Sequence, residues 1–587
     1  KREGIYTRIA PLWDHGSITY INPAWGLEGY TSGDTLNALL FFEPKLQAAY
    51  KSWMRTLLTA TNCFTGVPLA CEPAVAIIQI VSEDSMFFWW IDKVKGGPLR
   101  TLQSRFAEFL MARYGSLAAA TNAWHGSALG GDEMAEGRMG LYPLAELVRW
   151  PVPAPARRLR DQTAFMALCE RAFYREMMRY LKDELGARQL VAPSNFGPCD
   201  ETRLGDLQRW SWSAADVLEY NKFMASPYRG AQAGWRIQAG DVMEARSALR
   251  TLDIPALRTT VARRPFVLSS TTWLLPNPYT VEGPLLNAAC GALHALDGIY
   301  WFAATAPVYD VQPYFTFTSV QGSHPLKRWT ISHPGLLSQF PAAALIFRQG
   351  LVDAAEVAVH ETRTFEDMCT RQAPRRTETY AALMTGRMTT AYHEDETACD
   401  TGAQAVVASS SHAATAPQVQ LARAAGVMRI NAPCAQGVVG FLDAAGGEFT
   451  LDDVVIRSSN EYAAIIAVAL DDRPLAQSRR VLVQMGTVCE PTGWRTAPAS
   501  TNSASPALTI ESTGTMPWRL RTLAAELTIR NPALCRASIL DELGHTRACL
   551  PVRVSRRGAQ VTLPRDAVYV ILHAHQPGRD STNERYE

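Results

Sequence analysis

Glu83 follows the apolar run Ala74–Val81, with Ser82, Asp84 and Ser85 around it. A run of that length and kind predicts a buried strand, so the carboxyl would emerge at a strand end, where it could donate or accept a proton. Trp13, Trp89, Trp90, Trp273 and Trp301 fall at or just past the ends of predicted strands. Aromatic faces in such positions can pack ring-shaped ligands and leave polar edges to hydrogen bonds; some of these Trp would simply be packing residues. Asn195, after the predicted strand Gln189–Pro193, and the Trp13-Asp14-His15 run are further candidate contacts.

The elements that would position these groups alternate. Strands are predicted at Ile5–Ala10, Val75–Val81, Gln189–Pro193, Asp216–Glu219, Phe266–Ser269 and Ile299–Ala303, with helices such as Phe106–Tyr114 and Ala164–Leu185 between them. That order is the signature of parallel βα units. From about Thr401 onward the pattern changes to short alternating strands and turns, including Gly426–Ile430, Tyr462–Leu470, Arg480–Val483 and Ala567–Leu572, which suggests a β-sandwich. Thr496–Pro506 is expected to be a polar loop within it. Residues 346–400 are expected to be a connector with helical pieces around Glu361–Cys369. Of the fifteen Trp, only Trp494 and Trp518 lie beyond Trp329.

Composition excludes several classes. The 587 residues are 47% hydrophobic and 19% charged, and 57 Lys and Arg against 56 Asp and Glu give a net charge of +1. Such balance argues against nucleic acid as a partner and against disorder. No apolar run is long enough to cross a bilayer. The eleven Cys occur singly, without a CxxC pair, so a Cys-based zinc site is not expected. No GxGxxG, P-loop or HExxH is present. Gly96-Gly97 and Gly130-Gly131 are expected in turns, and Tyr392–Glu396, with His393, as an exposed acidic loop rather than a metal site. No cofactor or metal is called for.

Two stretches resemble the retaining glycoside hydrolases of the large (β/α)8 clan that includes cellulases, mannanases and β-galactosidases. One runs from Asp34–Pro44 to Ala74–Ser85; the other is Arg264–Trp273 with Pro276-Asn277 and Glu282-Gly283-Pro284. Asp297–Phe302 is similar to the eighth strand of that clan, and Leu470–Val483 with Thr492–Trp494 to an accompanying β-rich region. The resemblance implies a TIM-barrel-type α/β unit over residues 1–345 and a β-sandwich-like unit over 401–587. It implies a helix over Asp34–Pro44, Glu83 as general acid/base, and Trp301 as the floor of a sugar subsite. Ile5–Ala10 then counts as the third strand, so two βα units are expected ahead of Lys1, where Lys1–Gly4 has the look of a helix end.

Three positions depart from the clan. Ser270 stands at the nucleophile position, Ser82 replaces the Asn before the acid/base, and Asn221-Lys222-Phe223 replaces a His-x-Tyr pattern. Retaining chemistry needs two carboxyls about 5–5.5 Å apart. The departures leave open a silent sugar-binding protein, an altered mechanism using Glu219, Asp216 or Glu282, an introduced Glu-to-Ser change, or a displaced nucleophile position. The expected partner is an oligo- or polysaccharide, with Trp13, Ser82, Asn195, Asn221, Trp273 and Trp301 as its contacts. An extracytoplasmic or secreted location follows from that substrate class. The competing class is an interaction scaffold.

Overall fold

The computed structural model describes residues 4–13, 20–150, 155–231, 233–304, 326–374, 380–393, 405–407, 417–499 and 506–575. Each of the six strands expected in the first part of the chain is present: β1 Thr7–Ile9, β2 Val75–Gln79, β3 Leu190–Ala192, β4 Leu218–Asn221, β5 Phe266–Thr271 and β6 Gly298–Trp301. β1, β2 and β3 form one parallel sheet, and β4, β5 and β6 another. Backbone bonds from Asp216 to Val191 (2.9 Å) and from Asn221 to Asn195 (2.9 Å) join them into one parallel wall in chain order. Among the described residues, β1 and β6 do not pair.

Helices contribute buried side chains to the same core as β2 and β5, which are buried at nearly every position. The helix Pro44–Thr59 buries Leu46, Tyr50, Met54 and Leu58, one side chain per turn. Pro44 at its first position and the Glu43 carboxylate on the Lys45 N–H (3.3 Å) fix its start. The helix expected over Asp34–Pro44 is therefore displaced, and that stretch carries only the 3-10 turn Leu39–Phe41. Gly96 and Gly97, expected in a turn, open the helix Gly96–Tyr114 and lie against the Glu28 backbone.

The stretch expected as a connector with helical pieces around Glu361–Cys369 also holds two parallel strands, Val357–Arg363 and Arg387–Tyr392. The helices Phe365–Cys369 and Tyr380–Thr385 lie between them in the chain, and Arg387–Tyr392 pairs with Thr260–Val261. His393 is exposed; Glu394–Glu396 lie outside the described residues.

Beyond Val419, eight antiparallel strands face a five-stranded antiparallel sheet across a core that includes Phe449, Ile456, Ile465, Val483, Leu527, Val561 and Val570. Ala463–Ala469 is buried at every position, because its second face packs toward the parallel wall. From this β-rich region a hairpin, Cys489–Pro498 with Ala507–Leu520, reaches back and pairs with Val242–Glu244 in the segment after β4. The expected loop from Thr496 is thus strand as far as Pro498.

Candidate functional site

Parallel strands deliver their ends to one rim, and Glu83 stands there beyond β2. Its φ of 62° is unusual for a residue with a Cβ. Neighbouring polar side chains hold the turn. The Asn195 Oδ1 accepts the Glu83 N–H at 2.9 Å, and the Asn195 Nδ2 lies 3.4 Å from the Ser82 hydroxyl. Asp84, fully buried, accepts the Ala38 N–H at 3.0 and 2.9 Å and the Ser85 N–H at 2.8 Å. Behind it, Ser85 bonds to Gln208, whose Nε2 donates to Glu170 at 2.9 Å. Burial pushes the Glu170 carboxyl up to about 8.

The Glu83 carboxylate receives one donor on each oxygen. The Trp13 Nε1 donates to Oε2 at 2.8 Å and the Asn221 Nδ2 to Oε1 at 2.8 Å. Trp13 is aligned with Ser82 by a parallel bridge, and Asn221 ends β4. The Asn221 Oδ1 in turn accepts the Ser269 hydroxyl at 2.8 Å. Trp13, Ser82, Asn195 and Asn221 therefore converge on Glu83. Asp14 and His15, next along from Trp13, lie outside the described residues.

Ser270 sits in a bulge. On β4 the register passes from Tyr220 opposite Leu268 to Asn221 opposite Ser270, and on β6 from Ile299 opposite Leu268 to Trp301 opposite Thr271. Both neighbours thus skip a residue at Ser269–Ser270, the signature of an extra residue that re-aims side chains at a rim. Strict alternation from the apolar run could not show that Ser269 is the hydroxyl touching Asn221.

The other carboxylates considered are engaged elsewhere. Glu219 is fully buried, paired with Arg8 and bonded by the Gln79 Nε2 at 2.9 Å. Asp216 holds the Val191 N–H at 2.9 Å and pairs with Lys182. Glu282 accepts from the Ser247 hydroxyl (2.6 Å), the Ala248 N–H (2.7 Å), the Trp273 Nε1 (2.9 Å) and the Tyr462 hydroxyl. Burial pushes the Glu282 carboxyl up, and these donors pull it back. None of the three bonds to Glu83.

Trp273 is completely buried, so its role as a direct ligand contact is replaced by one of support. Its ring stacks with Trp301, centroids 6.1 Å apart, and Trp301 is half-buried with Phe340 edge-on at 5.0 Å. The Glu282-Gly283-Pro284 triplet has a local reason. Glu282 anchors Trp273, a Cβ on Gly283 would lie 2.6 Å from the Trp273 ring, and Pro284 lies in the first turn of the helix Gly283–Leu293. Trp89 and Trp150 are exposed farther along the rim. Among the described residues no cluster of His, Cys, Asp and Glu is placed to hold a metal, and no helix is long and apolar enough to cross a membrane.

No protein-family model matches the chain, and no curated protein does. Solved structures with which it can be superposed include an agarase (12% identity, TM-score 0.34, covering 59% of this chain and 44% of that one). They also include an endo-β-1,4-mannanase from Thermotoga petrophila (12%, 0.31, 61% and 62%) and a β-galactosidase from the psychrophilic Marinomonas ef1 (12%, 0.32, 64% and 57%). The chain spans less than two thirds of the length of each of these.

Proposed function

We propose that this chain is a glycoside-hydrolase-like protein that binds β-linked glycans at the Glu83 rim without turning them over. In this reading residues 1–345 carry a (β/α)8-type unit and 401–587 a sandwich-like unit. Glu83 and Asn221 hold sugar hydroxyls and Trp301, supported by Trp273, underlies a sugar ring. The extracytoplasmic location belongs to the same proposal.

The observation that carries it is the bulge at Ser269–Ser270, the strand end facing Glu83 through Asn221. In this reading Ser269 and Ser270 stand where displacement at an anomeric carbon would need a carboxylate. The three carboxylates that could substitute are committed to Arg8, Lys182 and the Glu282 cluster. A serine hydroxyl with no adjacent base cannot take their place.

The test combines binding to a panel of β-glycans with turnover of aryl β-glycosides, using the natural chain, Glu83→Ala and Ser270→Glu. Binding without turnover is expected, weakened about tenfold in Glu83→Ala, about 1.4 kcal/mol. Ser270→Glu is expected to gain measurable hydrolysis. Turnover by the natural chain that vanishes in Glu83→Ala would replace the silent reading with an enzymatic one. Absence of binding to every glycan would leave the interaction scaffold.

A further inference from the structure

Among the described residues, most buried guanidinium groups have polar partners. Arg158 grips Asp132, Arg363 grips Asp206 and Asp367, and Arg171 bonds to the Trp210 carbonyl and the Ser213 hydroxyl. Arg371 breaks the pattern. The residue is 2% exposed, and its Nε and Nη1 have no acceptor. It follows the helix Phe365–Cys369 at a left-handed φ of 61°, its backbone N–H on the Met368 carbonyl at 3.0 Å.

A second cation, Arg203, acts on it and no carboxylate among the described residues does; the nearby Cys369 thiol is neutral, because burial pushes its titration far up. Burial lowers the guanidinium to about 10. A charge removed from water without a counter-ion is strongly destabilising, and arginine is matched in geometry to planar or tetrahedral oxyanions. Arg203 lies in the first turn of the helix Glu201–Trp212, after β3, so it belongs to the rim that carries Glu83. It stacks 4.6 Å over the exposed ring of Trp150, and its contact with Asp200 is long at 3.5 Å. The pair of cations therefore has one member reachable from solvent.

We propose that Arg371, with Arg203 beside it, forms a binding site for an oxyanion group: phosphate, sulfate or carboxylate. The site is separate from Glu83 and stands or falls independently of the glycan reading. The group could arrive as a free inorganic anion or as a substituent on a charged glycan.

The experiment measures thermal unfolding of the full chain in inorganic phosphate and in sulfate, against chloride at matched ionic strength. It compares the natural chain with Arg371→Met and Arg371→Lys. Sulfate and phosphate stabilise folded proteins generally, so the difference between variants is what counts. The natural chain is expected to show an additional, saturable rise of about 1–3 °C, absent in Arg371→Met. Arg371→Lys keeps the charge but loses the fork, and is expected to bind phosphate at least about threefold more weakly. If Arg371→Met does not fold, the lysine variant supplies the comparison. Responses equal to that of the natural chain overturn the site. Binding of a sulfated or uronate-bearing β-glycan beside its neutral counterpart separates the two sources. Selective loss for the charged glycan in the Arg371 variant identifies a substituent; an unchanged preference together with an Arg371-dependent phosphate response identifies a free anion.

Discussion

Asn221 bridges Glu83 and the end of β5: its Nδ2 donates to the carboxylate at 2.8 Å while its Oδ1 accepts the Ser269 hydroxyl at 2.8 Å. The amide can serve both only in one orientation, so the two strand ends share a single fixed group. Replacement by alanine removes a donor from a charged acceptor, a bond worth about 1.5–3 kcal/mol. Asn221→Ala is expected to weaken glycan binding by about tenfold or more in equilibrium titration. Asn221→Asp, which sets like charges together, is expected to weaken it further at neutral pH. Equal binding by all three proteins would remove Asn221 from the site.

Gly283 gives room to Trp273. A methyl group at that position would lie 2.6 Å from the ring, and the ring is stacked with Trp301 and tied to Glu282. Gly283→Ala is expected to destabilise the fold by about 1–3 kcal/mol, read as a lowered urea midpoint, and to shift Trp fluorescence. An unchanged midpoint would show that the ring moves aside freely.

Glu170 makes stability depend on pH from within the core. Its carboxyl is pushed up to about 8 by burial, whereas an unfolded Glu titrates near 4.5. Between those values the folded chain holds a proton that the unfolded chain has released, so stability falls as pH rises and levels off above about 8. Glu170→Gln keeps an amide in place of the neutral carboxyl and is expected to flatten that slope by a few kcal/mol. Denaturant titrations at pH 5 and pH 8 measure it.

His333 imposes the opposite slope. It is fully buried, neither ring nitrogen has a partner, and burial lowers it to about 3. The unfolded ring takes up its proton near 6.5, so stability is lost as pH falls from there toward 3. The ring stacks on Trp518 at 5.4 Å, so His333→Phe keeps the stacking and is expected to be less acid-sensitive. Thermal unfolding at pH 4 and pH 7 distinguishes the two proteins.

The central parallel strands β2 and β5 were legible because strands buried on both faces are nearly continuous in apolar residues, as in Val75–Gln79 and Phe266–Leu268. Val357–Arg363 was not. It carries His360, Glu361 and Arg363, whose polar ends are satisfied by tertiary partners such as Thr389 and Asp206. At the candidate site, residue type and strand-end position were enough to select Glu83, Trp13 and Asn195, whereas Asn221 came only from the resemblance to the glycoside hydrolase clan. They could not foresee the bulge that brings in Ser269, nor that Trp273 would lie under Trp301. Asp84, Gln208 and Glu170 also went unseen, because a buried network leaves no periodic trace.

The hairpin that leaves the β-rich region also sets an order of assembly. Glu244 pairs with Ala507 and Val242 with Thr509, so the segment after β4 keeps an open strand edge until residues about 260 positions further along the chain have been made. Contacts between such distant positions form late. A chain cut short before Cys489 would display that edge to its neighbours, and self-association is the fate expected of such a fragment.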